Sequence, residues 1–179
     1  MHTYIALLRG INVNGQKMIS MEKLRTLFED LGFTGVTTYI QSGNVVFQAG
    51  SVKYFLLEKR IKVSIQDAFG FSVPVFVKTR DEWDEVVKKN PFLQRKDIDE
   101  LKLHATFLSD TPNQSVVDEI MAGEYGDDEC VFSGKTAYLY CPHGYGKTKL
   151  SNIFFEKKTS LIATTRNWKT ILKLPELSN

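Results

Sequence analysis

The chain reads as an α+β fold of two tandem units, each an antiparallel sheet with helices on one face. Three observations carry that reading. Strand-sized β-branched runs alternate with stretches of helical apolar periodicity. The order strand, helix, hairpin, helix, strand occurs twice. The two hairpins turn on matching residues, Ser42-Gly43-Asn44 and Ser133-Gly134-Lys135.

Taken in order, Thr3 to Leu8 forms the first strand and runs into a polar loop holding Arg9, Asn12 and Asn14. Ser20 caps a helix with Leu24, Leu27, Phe28 and Leu31 at i, i+3, i+4 and i+7, and Gly32 followed by Phe33 supplies a left-handed stop with an apolar clasp. Val36 to Ile40 and Val45 to Gln48 are β-branched and aromatic and form the hairpin. A helix follows Ser51, burying Phe55, Leu56 and Ile61, and stops near Gly70. Ser72 to Lys78 alternates Val73, Val75 and Val77, and Pro74 puts this strand at a sheet edge. Thr79-Arg80-Asp81-Glu82 is a capping box opening a helix that Asn90-Pro91 ends, and residues 94–102 form a charged connector.

The order then repeats. His104 to Leu108 is a strand, and Thr111-Pro112-Asn113-Gln114 caps a helix bearing Val116, Val117, Ile120 and Met121. Glu129 to Phe132 and Thr136 to Cys141 form the second hairpin. A helix begins near Thr148, Ser160 to Thr164 makes the last strand, and a closing helix starts at Thr165. This βαββαβ order is that of the ferredoxin-like sandwich. The expected organisation is a first unit over residues 1–79, a connecting helix and linker over 80–102, and a second unit with a C-terminal helix over 103–179.

Composition bounds the function classes. At 179 residues and 42% apolar content, the chain is long enough for one domain or two small ones and is not expected to be disordered. No apolar run approaches the roughly 18 residues a membrane span needs. No membrane partner is expected, and a cytoplasmic location is the default. Cys130 and Cys141 lack metal-ligand or disulfide-framework spacing and read as reduced core thiols. His2, His104 and His143 have no partner at ligand or triad spacing, so no metal, cofactor or nucleophilic triad is expected. The net charge of +2 is uneven: residues 118–129 hold six acids and no base, whereas 147–173 hold seven Lys or Arg against Glu156 alone. The second stretch is expected to form a basic face.

In this topology the end of the first strand and the first hairpin turn share one sheet edge, which gathers Arg9 and Asn12 with Gln41, Ser42 and Asn44. In the second unit the opposite edge gathers Tyr145, Lys147 and Lys149 with Arg166, Asn167 and Trp168. Lysines at a helix start after glycines, beside an arginine fork, suit a phosphate or carboxylate. Cys141 to Thr148, CPHGYGKT, imitates a phosphate-binding P-loop, but it follows a hairpin strand in a unit too small for a nucleotide-hydrolysing core.

ALLRGINVNG at 6–15, LGFTGVTTYIQSGNVVF at 31–47, NPF at 90–92, GYGKTKLSN at 144–152 and ATTRNW at 163–168 resemble the signature segments of the domain-of-unknown-function 1697 family. The resemblance implies a small bacterial cytoplasmic α+β protein of two ferredoxin-like subdomains and implies no activity. The expected function is a binding module for a phosphorylated or anionic ligand, a phosphate-bearing small molecule such as a nucleotide, or single-stranded nucleic acid. A small enzyme acting on an anionic metabolite and a protein-interaction scaffold are the alternatives.

Overall fold

The computed structural model describes residues 1–178 and contains both βαββαβ units. In the first, β1 (His2–Leu8), α1 (Met21–Asp30), β2 (Thr34–Tyr39), β3 (Asn44–Ala49), α2 (Tyr54–Phe69) and β4 (Val75–Thr79) build an antiparallel sheet in the order β2-β3-β1-β4. β1 explains why this sheet forms. Tyr4, Ala6 and Leu8 join the core beneath the helices, and the intervening Ile5 and Leu7 are buried on the opposite face. The Ser20 hydroxyl accepts from the Lys23 N–H at 3.2 Å, and α1 buries Leu24, Leu27 and Phe28. Gly32 then turns left-handed at φ +79°, so that the Phe33 N–H reaches the Phe28 carbonyl at 3.3 Å and the Phe33 ring meets Phe47 at 4.6 Å.

α2 corrects the sequence reading. Its core face is Leu57, Ile61 and Ile65, whereas Phe55 and Leu56, expected inside, are 51% and 48% exposed. A helix advances about 100° per residue. With Leu57, Ile61 and Ile65 set on the sheet, Phe55 and Leu56 lie about 120° and about 140° round the helix from Ile61, so both point away from the sheet.

The second unit repeats the plan with β5 (Leu103–Leu108), α4 (Gln114–Met121), β6 (Glu129–Ser133), β7 (Thr136–Tyr140), α5 (Asn152–Thr159) and β8 (Ala163–Asn167), in the order β6-β7-β5-β8. The duplication extends to single bonds. The Leu8 N–H donates to the Gly43 carbonyl at 2.8 Å, and the Leu108 N–H donates to the Lys135 carbonyl at the same distance. Arg9 N–H to Pro74 O at 3.0 Å is repeated as Ser109 N–H to Ile162 O at 2.9 Å. α3 (Arg80–Lys88) lies between the units in sequence, and α6 (Trp168–Lys173) follows β8.

Of the boundaries that differ from expectation, two bear on the site. α5 starts at Asn152, where the Ser151 hydroxyl accepts from the Phe154 N–H, and not at Thr148. The last strand runs to Asn167, so Thr165 and Arg166 pair with Thr106 and Ala105 in the sheet and do not open the closing helix. The cause is the β-branched Thr164-Thr165 pair, which extends the ladder, together with Asn167, whose Oδ1 caps α6 at the Thr170 N–H.

By compactness the chain divides into Met1–Glu85 together with the segment from Lys173, and Val86–Leu172. The division crosses α3. The returning segment packs on β3 through a 3-10 turn, Leu174–Leu177, and Arg80 Nη1 donates to the Pro175 carbonyl at 2.6 Å and to the Ser178 hydroxyl at 2.7 Å.

Candidate functional site

At the first unit's polar rim, the end of β1, the loop after it and the β2–β3 turn converge as connectivity requires. Gly43, at φ +82°, is pressed so closely against β1 that a Cβ there would lie 2.8 Å from both Leu8 Cβ and Ile11 Cδ1. Asn12 donates both amide hydrogens, to the carbonyls of Ile19 at 2.9 Å and Gln41 at 2.8 Å, and its Oδ1 accepts from the Ile19 N–H at 2.8 Å. Asn44 is fully buried and donates to the Tyr39 carbonyl and the Ser42 hydroxyl. Asn12, Asn14, Lys17 and Ile40 all hold positive φ, and for the β-branched Ile40 at +50° that is a strained conformation. The rim therefore unites Asn12, Gln41, Ser42 and Asn44 with a half-buried Arg9, but the two asparagine amides brace the rim and have no hydrogens left for a ligand.

The second unit's opposite edge is built differently. A 3-10 turn, Tyr145–Lys147, lies over the start of β5, where the Tyr145 ring stacks on His104 at 4.9 Å and 25°. The Tyr145 hydroxyl donates to Thr165 Oγ1 at 3.1 Å, and that hydroxyl donates to Asn152 Oδ1 at 2.7 Å. With its one hydrogen so used, Thr165 accepts from Thr106 Oγ1 at 2.7 Å. This chain fixes the connection between β7 and α5. Lys147 and Lys149, which the connection carries, are exposed, and their side chains have no hydrogen-bond or ion-pair partner among the described residues.

Strand register brings two further cations to this edge. Lys102 precedes Leu103, which pairs with Tyr140, and Lys169 follows the Asn167 that pairs with His104. Neither side chain has a partner among the described residues. Some other cations of the unit do have partners: Arg95 holds Asp97 and Glu129, Lys135 meets Asp110, and Lys158 meets Glu119, whereas the side chains of Lys96 and Lys157 have none among the described residues. On the β6 side of the same edge His143 holds Asp127 at 2.7 Å. The edge is thus basic toward β5 and β8, and its acidic end is occupied.

Four expected ligand residues have other positions. Arg166 lies in β8, 8% exposed, with Nη1 donating to Thr164 Oγ1 and the Thr165 carbonyl, both at 2.9 Å. Burial pushes its pKa down to about 10, against the Tyr145 phenol, so it stays charged at neutral pH without offering a surface fork. Trp168 is 2% exposed and edge-on to Tyr138, which excludes stacking on a solute. Lys147 and Lys149 stand ahead of α5 and not in its first turn, so the helix-start argument for them does not hold. Sequence reasoning missed Lys102, read as the end of the charged connector, and Lys169, read as part of the closing helix, because neither was expected at the sheet edge. His104 was recognised as a strand residue, but its pairing with Tyr145 is visible only in three dimensions.

Cys130 and Cys141 are free, and burial pushes their thiols up to about 12 and about 11. The buried polar side chains among the described residues are Asn, Thr and Arg, so no buried carboxylate is available beside either rim as a tuned acid or base.

The family described as "Protein of unknown function (DUF1697)" matches residues 1–138. Among curated proteins none matches the chain. Of solved structures, the conserved bacterial protein SP0830 from Streptococcus pneumoniae superposes with a TM-score of 0.73 at 21% identity, covering 99% of both chains. At that identity the likeness concerns the fold.

Proposed function

We propose that this chain, which belongs to the DUF1697 family of proteins of unknown function, binds a phosphate-bearing anion at the basic end of the second unit's rim. A nucleotide or a single-stranded nucleic acid is the ligand class. The observation that carries this reading is the set of lysines, Lys102, Lys147, Lys149 and Lys169, brought to one edge without an acidic partner. Neighbouring ammonium groups repel one another, and a phosphate relieves that repulsion while keeping each cation hydrated on one side. Asn167 adds an exposed amide beside them. Because Lys147, Lys149 and Lys169 are solvent-exposed, the interaction is salt-sensitive, with a log–log slope of about −0.7 per neutralised phosphate on a single strand. The same reading takes the protein to be bacterial and cytoplasmic, supported by the two free thiols and the bacterial origin of the structural neighbour.

The test is a thermal-shift screen with nucleotides and phosphosugars, together with fluorescence anisotropy of a labelled single-stranded oligonucleotide at low salt. Wild-type protein binds in at least one format, and Lys147→Ala/Lys149→Ala weakens that binding by about tenfold without lowering the melting temperature. No stabilisation and no anisotropy change at low salt would reject the reading.

A further inference from the structure

The first unit has its own surface at the corresponding edge, where β3 ends and α2 begins. A pocket of about 190 Å³ opens there, lined among others by Leu31, Phe33, Val52, Leu56, Leu57 and Arg60. A cavity of about 150 Å³ lined by apolar side chains holds a benzene ring, so this one has room for a phenyl or isobutyl group. Around it Val52, Tyr54, Phe55 and Leu56 are 39–51% exposed, and Val63, one helical repeat beyond Leu56, is 50% exposed. Val52 and Leu56 line the pocket itself, Val63 continues the Leu56 stripe of α2, and Tyr54 and Phe55, in edge contact at 6.2 Å, expose further apolar surface at the start of the helix, the kind of surface that marks an interaction site.

The surface is pre-organised. The Tyr4 hydroxyl accepts from the Val52 N–H at 3.3 Å and lies 3.2 Å from the Gly50 carbonyl and 3.1 Å from the Val52 carbonyl, which fixes the strap between β3 and α2. Arg60 stands at the pocket with its guanidinium 5.4 Å from the centre of the Phe33 ring, and Nη2 donates to the Leu31 carbonyl at 2.6 Å.

The strap and the first turns of α2 carry an excess of positive charge. Residues 50–63 hold Lys53, Lys59, Arg60 and Lys62 against Glu58 alone, and the Glu58 carboxylate is turned to the Val77 N–H at 2.9 Å. α2 has no acid in its first turn, and its N-cap residue, Lys53, makes no side-chain capping bond. A lysine at that end opposes the helix dipole. A carboxylate supplied from outside would offset the Lys53 charge at that end.

We propose that this surface docks an acidic peptide segment, one bulky apolar side chain of which enters the pocket while its carboxylates lie against Lys53, Lys59 and Arg60. The contact is of the anchor-and-rim kind: an apolar side chain supplies most of the binding energy and the charges set orientation and partner choice. It is independent of the lysine edge in the second unit.

The test uses the full chain, ¹⁵N-labelled, titrated with the peptide Asp-Glu-Asp-Leu-Phe-Glu-Asp and with a control in which every acid is lysine. The acidic peptide shifts amides within residues 50–63 and at Phe33, the control does not, and Leu56→Asp or Arg60→Glu weakens binding about tenfold or more. Both positions are on the surface, and unchanged thermal melts of the variants establish that they fold. Equal shifts with the lysine control, shifts confined to other regions, or insensitivity to Leu56→Asp would overturn the proposal. So would concentration-dependent self-association, by sedimentation velocity, that Leu56→Asp abolishes, because the occupant would then be a second copy of this chain.

Discussion

The same connection, from the third strand of a unit to its second helix, is made in two ways. In the first unit it spans residues 50–53, Gly-Ser-Val-Lys, and is short; in the second it spans 141–151 and carries two lysines on a longer loop. In both, an aromatic side chain near the start of the first strand holds it: Tyr4 by hydrogen bonds to Gly50 and Val52, His104 by stacking on Tyr145. The inner turns, by contrast, repeat bond for bond at Leu8–Gly43 and Leu108–Lys135. The difference teaches where a duplicated sandwich is free to diverge. An inner turn shares backbone hydrogen bonds with the central strand and is constrained by the ladder, whereas an outer connection runs over the surface and takes on new chemistry at little cost to the core.

The turn glycines test that division most severely. Gly43→Ala must hold φ at +82° and place a Cβ 2.8 Å from Leu8 and Ile11, which are buried at 0% and 1% exposure and cannot retreat. Strain and overpacking together are expected to cost about 3 kcal/mol. In the second turn the position that matches Gly43 is Lys135, and the glycine lies one residue earlier: Gly134 sits at φ +57° with nothing within 4 Å of a Cβ, so Gly134→Ala is expected to cost about 1 kcal/mol, the backbone contribution alone. Urea denaturation of both variants gives the two losses. Equal losses would break the comparison, because they would mean that the turns are not differently packed.

A smaller effect separates bracing amides from capping ones. Asn12→Ala removes three hydrogen bonds and leaves two carbonyls and an N–H to find water, an expected loss of about 2 kcal/mol. Asn167→Ala removes one cap bond at the Thr170 N–H, about 1 kcal/mol. Denaturation midpoints in the expected order would support the reading that the first rim's polarity is structural.

Local signals were legible wherever one residue type has one physical use. Ser20 and Gly32 bound α1 as read, and the capping box is present, with Thr79 N–H to Glu82 at 2.8 Å and Glu82 N–H to Thr79 Oγ1 at 3.2 Å. The order of elements was enough to bring the rim residues together, because strand direction follows from connectivity. Phase was harder to read. Tyr54, Phe55, Leu56 and Leu57 form an apolar run with no polar residue to mark which of them faces the sheet, and the choice fell on the wrong two. The β8 boundary was displaced because Thr and Asn serve equally as strand ends and helix caps. Whether Asn12 holds a loop or a ligand depends on its partners, and those are set by the positive φ values of its loop, which no local pattern announces.

Thiol labelling sharpens the contrast by reading one unit alone, since both cysteines lie within Val86–Leu172. With the thiols raised to about 12 and about 11 by burial, almost no thiolate exists at pH 8. Modification by iodoacetamide is expected to be slow in wild type and faster in Gly134→Ala, where the second unit opens more often. Rapid labelling of the folded wild type would show a more open second unit than its packing implies.

The smallest expected effect follows from the residues that hold the two connections. Burial lowers the His104 pKa below its ordinary 6.5, with the Lys102 carbonyl opposing. Tyr145 stacks on the ring, and Lys102 and the outer lysines put positive charge at the same edge. The folded chain therefore binds this proton less tightly than the unfolded chain. The stabilisation is complete above about pH 6.5 and is lost as pH falls through the lower folded value. The first unit's connection is held without a histidine, so the same dependence is not expected there. Melting temperatures followed from pH 7.5 to 5 should decline less steeply in His104→Gln than in wild type, and Tyr4→Phe should leave the slope unchanged while lowering every value. If the His104→Gln and wild-type curves run parallel, the imidazole is not the group that couples the second connection to pH.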